Sequence, residues 1–379
     1  MKVLHLVDTF EPKYERDQIQ MVKMCQRNGI DTTVISSTFD SDGNLKSKAY
    51  FGQWDEPLNP VKVIRPVSFK LKLPHFNPLL IYLPHPKLFA DYDLIHIYTM
   101  GSYCFFLGNL IKRIKRTKVV IRAEMSLDWH KRITKSWIWQ KTLLKLLKAA
   151  DAVYAFTQAE KERLLNLGIS EDKVFVVPVS VDYDRFSRIQ KENGEFTIGY
   201  LGRFVPVKGS HRLVHPLSKL AQEFPAVRII FAGPKTVPDY AESVINPMTR
   251  LPNFEYLGAI PADEFYRLVD ILVVPSLAET GSVTTLEAMA CGKAAITSNI
   301  SPMNEYIEHG VSGLLVEEDE QFYHYCKQLI QNPALAERLG KNAQEKAKQY
   351  DGQEVFHRLE IIYSSLSSKR KMKGERQSE

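Results

Sequence analysis

A short apolar run, Ile271 to Val274, feeds a Ser/Thr/Gly-rich loop and then a helical pattern that starts near Leu286. A buried strand, a polar turn and a helix N-terminus in that order fit an open α/β sheet. At such a strand end the free N–H groups and the positive end of the helix dipole favour an anion. Two glutamates, Glu279 and Glu287, bracket the loop with seven residues between them. A phosphate does not need them, whereas sugar hydroxyls would use them as acceptors. The alternative is local: Thr284-Thr285-Leu286-Glu287 fits a capping box, with Glu287 reaching back to the Thr284 N–H, and Glu279 a solvated loop residue.

At 379 residues the chain exceeds what one hydrophobic core usually serves, so two domains are expected. With 44% hydrophobic and 25% charged residues, it is composed like a soluble globular protein. A net charge of +6 permits attraction to phosphate-rich ligands or to anionic membrane, and nucleic acid is not an expected partner. Cys25, Cys104, Cys291 and Cys326 lie far apart without metal-type spacing, and no Asp-x-Asp motif is present. No metal and no disulfide framework are therefore expected, and a reducing, cytoplasmic setting fits. Residues 1–7 are too short an apolar run, too soon followed by Asp8, for a signal peptide. No apolar run reaches the length of a membrane span.

Residues 2–7 read as a strand, 18–27 as a helix stopped by Asn28-Gly29, and 32–37 as a second strand, a Rossmann-like opening. No Gly-x-Gly-x-x-Gly follows the first strand, so no dinucleotide site is expected there. Residues 40–86 are the least readable, with one strand at 61–64. Strands follow at 94–98, 119–121, 152–156 and 174–177, and helices at 103–114 and 159–167. The strand at 119–121 runs into Arg122-Ala123-Glu124, at the sheet edge where catalytic residues gather. Between 129 and 148, Lys131, Arg132, Lys135, Lys141, Lys145 and Lys148 share a helical face, interleaved with Trp137, Trp139 and several leucines. That pattern suits an interfacial helix on anionic lipid, or an ordinary amphipathic helix with a basic outer face.

Residues 184–195 are mostly polar and charged and read as a linker. A strand at 196–201 then leads into Gly202-Arg203-Phe204-Val205-Pro206-Val207-Lys208-Gly209-Ser210 and a helix from about His211. The pair fits a diphosphate, arginine as a forked donor set and lysine as a point charge. Further strands are expected at 227–232, 254–258, 294–297 and 314–316, and helices at 263–269, 321–331, 334–349 and 353–366. Residues 367–379 are charged and nearly free of apolar side chains, and read as disordered.

The stretch from Pro275 to Gly292 resembles the Glu-x7-Glu signature of family 4-type retaining nucleotide-sugar glycosyltransferases, which have two facing Rossmann-like domains around a deep cleft (the GT-B architecture). Pro275, Ser276, both glutamates and Glu287-Ala288-Met289-Ala290-Cys291-Gly292 match the common form. Thr280, Gly281, Ser282, Val283 and Thr284 replace its Gly-Phe-Gly-Leu-Pro. Gly202 to Gly209 resembles the group's Gly-Arg-x-x-x-x-Lys-Gly, Val177 to Phe186 its hinge with Ser180 in place of Gly, and 304–315 its Glu-x-Ile-x-x-Gly-x-x-Gly-Leu-Leu.

The resemblance implies domains at 1–183 (acceptor side) and 196–350 (donor side), joined by 184–195. Residues 351–379 would form a helix crossing back, with a basic tail. It implies metal-independent, retaining transfer, without any cofactor, from a UDP- or GDP-linked sugar to a glycan or lipid-linked acceptor. Arg203 and Lys208 would hold the diphosphate, Glu279 the sugar hydroxyls and Glu287 the ribose. The backbone of Gly281, Ser282, Val283 and Thr284 would face sugar and phosphate, and Ala259 and Ile260 the base. Glu124 stands where many relatives carry a histidine, and either takes over its role or is a plain loop carboxylate. Tyr14, Glu15 and Arg16 replace a Gly-Gly region that faces donor and acceptor. Two other classes fit the same architecture: a nucleotide-sugar epimerase and a non-catalytic sugar-nucleotide binding protein.

Overall fold

The computed structural model describes residues 1–10, 17–39, 50–54, 61–71, 79–125, 130–131, 134–135, 137, 140–192 and 194–375. The chain divides into two units: Met1–Pro178 together with Val355–Glu379, and Val179–Glu354. The expected linker therefore lies inside the second unit. Its polar composition hides two anchors, Phe186 and Ile189, which are buried. The short helix Tyr183–Phe186 is capped by Asp182, whose carboxylate accepts from Arg185 N at 3.1 Å, and Arg185 pairs with Asp263 at 3.0 Å.

In the first unit the strands are β1 (Lys2–Leu6), β2 (Asp31–Ile35), β3 (Tyr50–Trp54), β4 (Val61–Arg65), β5 (Ser68–Leu71), β6 (Leu79–Tyr82), β7 (Leu94–Ile97), β8 (Lys118–Arg122), β9 (Ala152–Ala155) and β10 (Val174–Val176). Among the described residues, eight of them form one sheet in the order β10-β9-β8-β7-β1-β2-β4-β3, and β5 and β6 pair separately as an antiparallel hairpin. All neighbours in the large sheet are parallel except β3 and β4. A parallel sheet covered on both faces buries nearly every strand residue, which is why β7 and β9 are apolar throughout apart from His96. The order reverses between β1 and β7, the switch point where such sheets open a crevice.

The second unit holds β11 (Thr197–Leu201), β12 (Arg228–Ala232), β13 (Phe254–Tyr256), β14 (Ile271–Val274), β15 (Ala294–Ser298) and β16 (Leu314–Val316), all parallel, in the order β13-β12-β11-β14-β15-β16. Its switch point lies between β11 and β14. The strands that precede the Arg203 loop and the Glu279 loop are thus neighbours, although the loops are far apart in sequence. The core packs Phe204, Leu217, Phe231, Val244, Phe322 and Leu339 around this sheet.

One element reading is corrected, one unread helix is added, and the basic stretch is described in part. The terminal helix runs over Gly352–Glu375 instead of ending near 366, so residues 367–375 are helical and not disordered. Once a helix is nucleated and anchored, each added Lys, Arg, Met or Ser extends it at little cost, and no proline stops it. Pro238–Met248 is a helix with Pro238 in its first turn and Pro247 near its end, placements that a helix tolerates but that mask its periodicity. Within the basic stretch, Gln140–Leu144 is a π-helical turn continued by the helix Lys145–Ala149. Trp129, Arg132 and Trp139 lie outside the described residues.

Candidate donor site

Two loops build the site, one after β11 and one after β14. The first turns through Pro206–Lys208 and Ser210–Leu213, two 3-10 turns, before the helix Val214–Glu223 begins, slightly later than the expected start at His211. Gly209 between them has φ +68, and a Cβ there would lie 2.1 Å from the Pro275 carbonyl oxygen. Only glycine lets the loops approach this closely. The contact is reinforced by Leu277 N, which donates to Val207 O at 2.9 Å, and by Arg212 Nη1, which donates to Pro275 O at 2.7 Å. Arg212 also donates to Ser298 Oγ (2.7 Å) and Asp319 Oδ1 (2.6 Å).

The result is a pocket of about 210 Å³ lined by Tyr200, Leu201, Gly202, Arg203, Lys208, Val274, Ser276, Glu279 and Thr284. That volume is below the roughly 300–1,000 Å³ of a site for a whole drug-sized ligand, so it matches a phosphate-and-sugar fragment better than an entire nucleotide. Lys208 Nζ donates to Glu279 Oε1 at 2.6 Å, and Ser276 Oγ donates to the same oxygen at 2.8 Å. The Glu279 side chain is only 7% exposed and that of Lys208 23%. A carboxylate this enclosed needs its cation. Arg203 is exposed, and its guanidinium forms no ion pair among the described residues.

The helix after the second loop is Val283–Ala290, with Ser282 as its N-cap. Its first amides have no intrahelical acceptor and face the strand-end side of the helix. This placement corrects the capping-box alternative. Thr284 sits inside the first turn and is not the cap, and Ser282 Oγ instead meets Thr285 Oγ1 at 2.7 Å. Tyr266 OH donates to Thr284 O at 2.8 Å and to Glu287 Oε2 at 3.3 Å. Burial, with the Glu287 charge second, pushes the Tyr266 phenol well up, so it stays a donor across ordinary pH.

Of the expected donor residues, Arg203, Lys208, Glu279 and Thr284 come together in one pocket. Glu287 lies one helical turn beyond Val283–Thr284, held by Tyr266. Ala259 and Ile260 follow β13 at the same edge of the sheet and do not line the pocket. Gly281, Ser282 and Val283 are also outside the lining. Gly281 packs against Val179, where a Cβ would fall 2.5 Å from the valine Cγ1, so this glycine is required by packing. Tyr200 and Arg212 were not singled out by the sequence, and Gly209 stood in its motif without a role. Ser276 stood inside the signature without a role, and the acceptors of Arg212 lie 63 to 107 residues away, beyond any local pattern.

Glu124 belongs to the first unit, just after β8. It forms an ion pair with Arg122, whose Nε donates to Tyr98 O at 2.9 Å and whose guanidinium lies 5.2 Å from the Tyr98 and Phe156 rings. Tyr14, Glu15 and Arg16 lie outside the described residues.

Residues 182–346 match the family described as Glycosyl transferases group 1, and residues 16–185 match Glycosyltransferase Family 4. An uncharacterized glycosyltransferase of Methanocaldococcus jannaschii is 29% identical over 46% of this chain and 50% of its own length. A D-inositol 3-phosphate glycosyltransferase of Catenulispora acidiphila is 27% identical over 58% of each chain. The capsular polysaccharide biosynthesis glycosyltransferase CapM of Staphylococcus aureus is 22% identical over 57% of this chain and 62% of its own. The chain thus spans less than two thirds of the length of these curated relatives. Among solved structures, Anabaena HepE in complex with UDP and glucose superposes with a TM-score of 0.71 at 20% identity, covering 96% of this chain and 100% of that one. The sucrose-phosphate synthase of Thermosynechococcus elongatus gives 0.72 at 18%, covering 97% and 99%. At these identities the superpositions speak for a shared fold, the two Rossmann-like domains of the GT-B architecture. With both family matches laid end to end along the two units, the chain belongs to the group 1, family 4-type glycosyltransferases.

Proposed function

We propose that the protein transfers a sugar from a nucleoside-diphosphate sugar, UDP- or GDP-linked, to a glycan or lipid-linked acceptor, with retention and without a metal ion. The observation that carries this reading is the joining of Lys208, Arg203 and Glu279 in one pocket at a switch point, beside a helix N-terminus. Cations and free amides suit a leaving diphosphate, and a fixed carboxylate suits sugar hydroxyls. The bond from the anomeric carbon to the phosphate oxygen breaks and the bond to the acceptor oxygen forms on the same face. The acceptor proton leaves with the departing phosphate. Glu287, steadied by Tyr266, is assigned to the ribose, and the loop of Ala259 and Ile260 to the base. Anabaena HepE, which holds UDP-glucose in one of its structures, supports the donor class.

Thermal unfolding with UDP, GDP and their sugar conjugates tests the reading, because a ligand of the folded state raises the midpoint. A rise with one nucleotide, lost in Arg203→Ala, supports it; no rise with any of them sinks it. Product configuration by NMR decides retention, and activity that survives a chelator decides metal independence.

A peripheral, cytoplasmic-side membrane attachment is the second part of the proposal. No described helix is long and apolar enough to cross a membrane. Trp137 is 67% exposed, the Lys141 ammonium lies 5.2 Å from its ring, and Lys141, Lys145 and Lys148 surround a surface hollow. An exposed indole beside clustered lysines suits an anionic interface. Pelleting with phosphatidylglycerol vesicles, reversed by salt, would support it; equal pelleting with neutral vesicles would remove it.

A further inference from the structure

We infer that Ser276 is a positioning residue for Glu279, its hydroxyl fixing the carboxylate so that Oε2 is the oxygen presented to the donor sugar. This inference rests on the proposed glycosyl transfer and deepens its donor site.

Two donors converge on one carboxylate oxygen. Ser276 Oγ and Lys208 Nζ both reach Glu279 Oε1, at 2.8 and 2.6 Å. No described residue donates to Oε2, and Glu279 lines the pocket. A carboxylate accepts through both oxygens, so the oxygen left over is the one available to a ligand.

Ser276 is well placed to fix this geometry. It is buried, and the backbone on both sides of it is tied down. Pro275 O accepts from Arg212, and Leu277 N donates to Val207 O. Gly209, lacking a Cβ, lets its own loop close against the Pro275 carbonyl. A hydroxyl on a segment anchored at each flank is a donor whose position is set before any ligand arrives.

Lys208 cannot fill this role alone. Its ammonium is a mobile point charge on a four-carbon stem, and a bound diphosphate competes with Glu279 for it. When Nζ turns toward phosphate, Ser276 is the remaining fixed donor. The terminal torsion of a glutamate is broad and soft, so without that donor the carboxylate rotates and its hydrogen bonds to the sugar lose alignment.

The test uses the full chain and four proteins: wild type, Ser276→Ala, Ser276→Cys and Ser276→Thr. Initial rates are taken with UDP-glucose, or with GDP-mannose if wild type binds the guanine nucleotide, and affinities for the free diphosphate by calorimetry. Ala and Cys are expected to lose roughly tenfold in kcat/KM for the sugar nucleotide, the scale of one hydrogen bond to a charged group. Their Kd for the free diphosphate stays within about twofold, since Arg203 and Lys208 remain. Thr, which keeps the hydroxyl, retains most of the wild-type rate. Cysteine is close to serine in size, so a fully active Cys variant would reduce Ser276 to packing and overturn the inference. So would equal losses for diphosphate and sugar nucleotide. An active wild type whose Ala variant is unchanged overturns the Ser276 role alone, whereas a wild type that binds no sugar nucleotide overturns the proposed function with it.

Discussion

At the switch point of the second sheet, Lys208 and Glu279 meet as an ion pair in an open pocket, with the Arg203 guanidinium exposed beside it. At the switch point of the first sheet, Asp8 follows β1 with its Oδ1 buried and, among the described residues, without a hydrogen-bond partner. Burial pushes the Asp8 carboxyl up to about 6, and the nearby Glu124 charge adds to it. Glu160, at the start of the helix after β9, is pushed up to about 8, again chiefly by burial. Beneath these, His5 and His96 are buried in the sheet. Burial holds His5 down to about 3 and His96 well below its ordinary value. His96 bridges Tyr363 of the terminal helix (2.6 Å) and Tyr154 of β9 (3.0 Å), and His5 meets Tyr98 (3.0 Å). The same backbone scheme thus serves two electrostatic plans. The second unit arranges charge where an anion can reach it, and the first keeps His5, His96 and Glu160 neutral inside. Ligand chemistry is therefore expected to be carried by charge in the second unit, and pH-dependent stability by burial in the first.

The sharpest way to break this contrast is Lys208→Met. It removes a donor aimed at the diphosphate and leaves Glu279 without its cation, so kcat/KM should fall by roughly 10²–10³. A drop below tenfold in steady-state rates would show that the pocket does not carry the charge it is credited with.

Titration is the next test. Because the folded-state values of His5 and His96 are depressed, their contribution to stability is complete above about 6.5. It is lost as pH falls below that, toward about 3 for His5, at up to about 1.4 kcal/mol per pH unit for each group. Glu160 has the opposite sign. Its folded value is raised, so its contribution is complete below 4.5 and is lost as pH rises through 8. Urea unfolding of Glu160→Gln should match wild type at pH 4 and exceed it at pH 8. Equal curves at both would mean the carboxyl is solvated.

Gly209→Ala should cost about 2 kcal/mol, since φ +68 strains any L side chain and the Pro275 carbonyl blocks the new Cβ. The loss should be accompanied by weaker UDP or GDP binding, measured by calorimetry, because the two loops separate. The smallest effect is expected from Tyr363→Phe. Losing one buried partner of His96 costs about 1 kcal/mol. Faster amide exchange should appear in the terminal helix, with nucleotide affinity unchanged. A change in that affinity would blur the separation of roles between the units.

Much of the second unit was legible from sequence because its signals are local. Short, mostly apolar runs ahead of Gly202, Gly233 and Pro275 mark parallel strands, and β16 falls where it was read, at 314–316. The four donor residues that meet in the pocket were named from two short motifs. The first unit was harder. Its hairpin β5–β6 and the antiparallel strand β3 lie in a Pro- and Lys-rich stretch whose composition hides alternation.

By itself the sequence determined what depends on residues close together: strand-loop-helix units, the phosphate-type loop at Gly202–Gly209 and the paired glutamates. Only the tertiary structure decided which loops touch, because strand order is set by packing across the sheet and not by order along the chain. Placing β11 beside β14 joins Lys208 to Glu279, lets Arg212 reach Pro275, and turns a serine that stood in its motif without a role into a fixed donor. Burial was likewise decided in three dimensions. Glu124 ends up ion-paired and partly exposed, whereas Glu160 is sealed beneath the helix start with its proton held by desolvation.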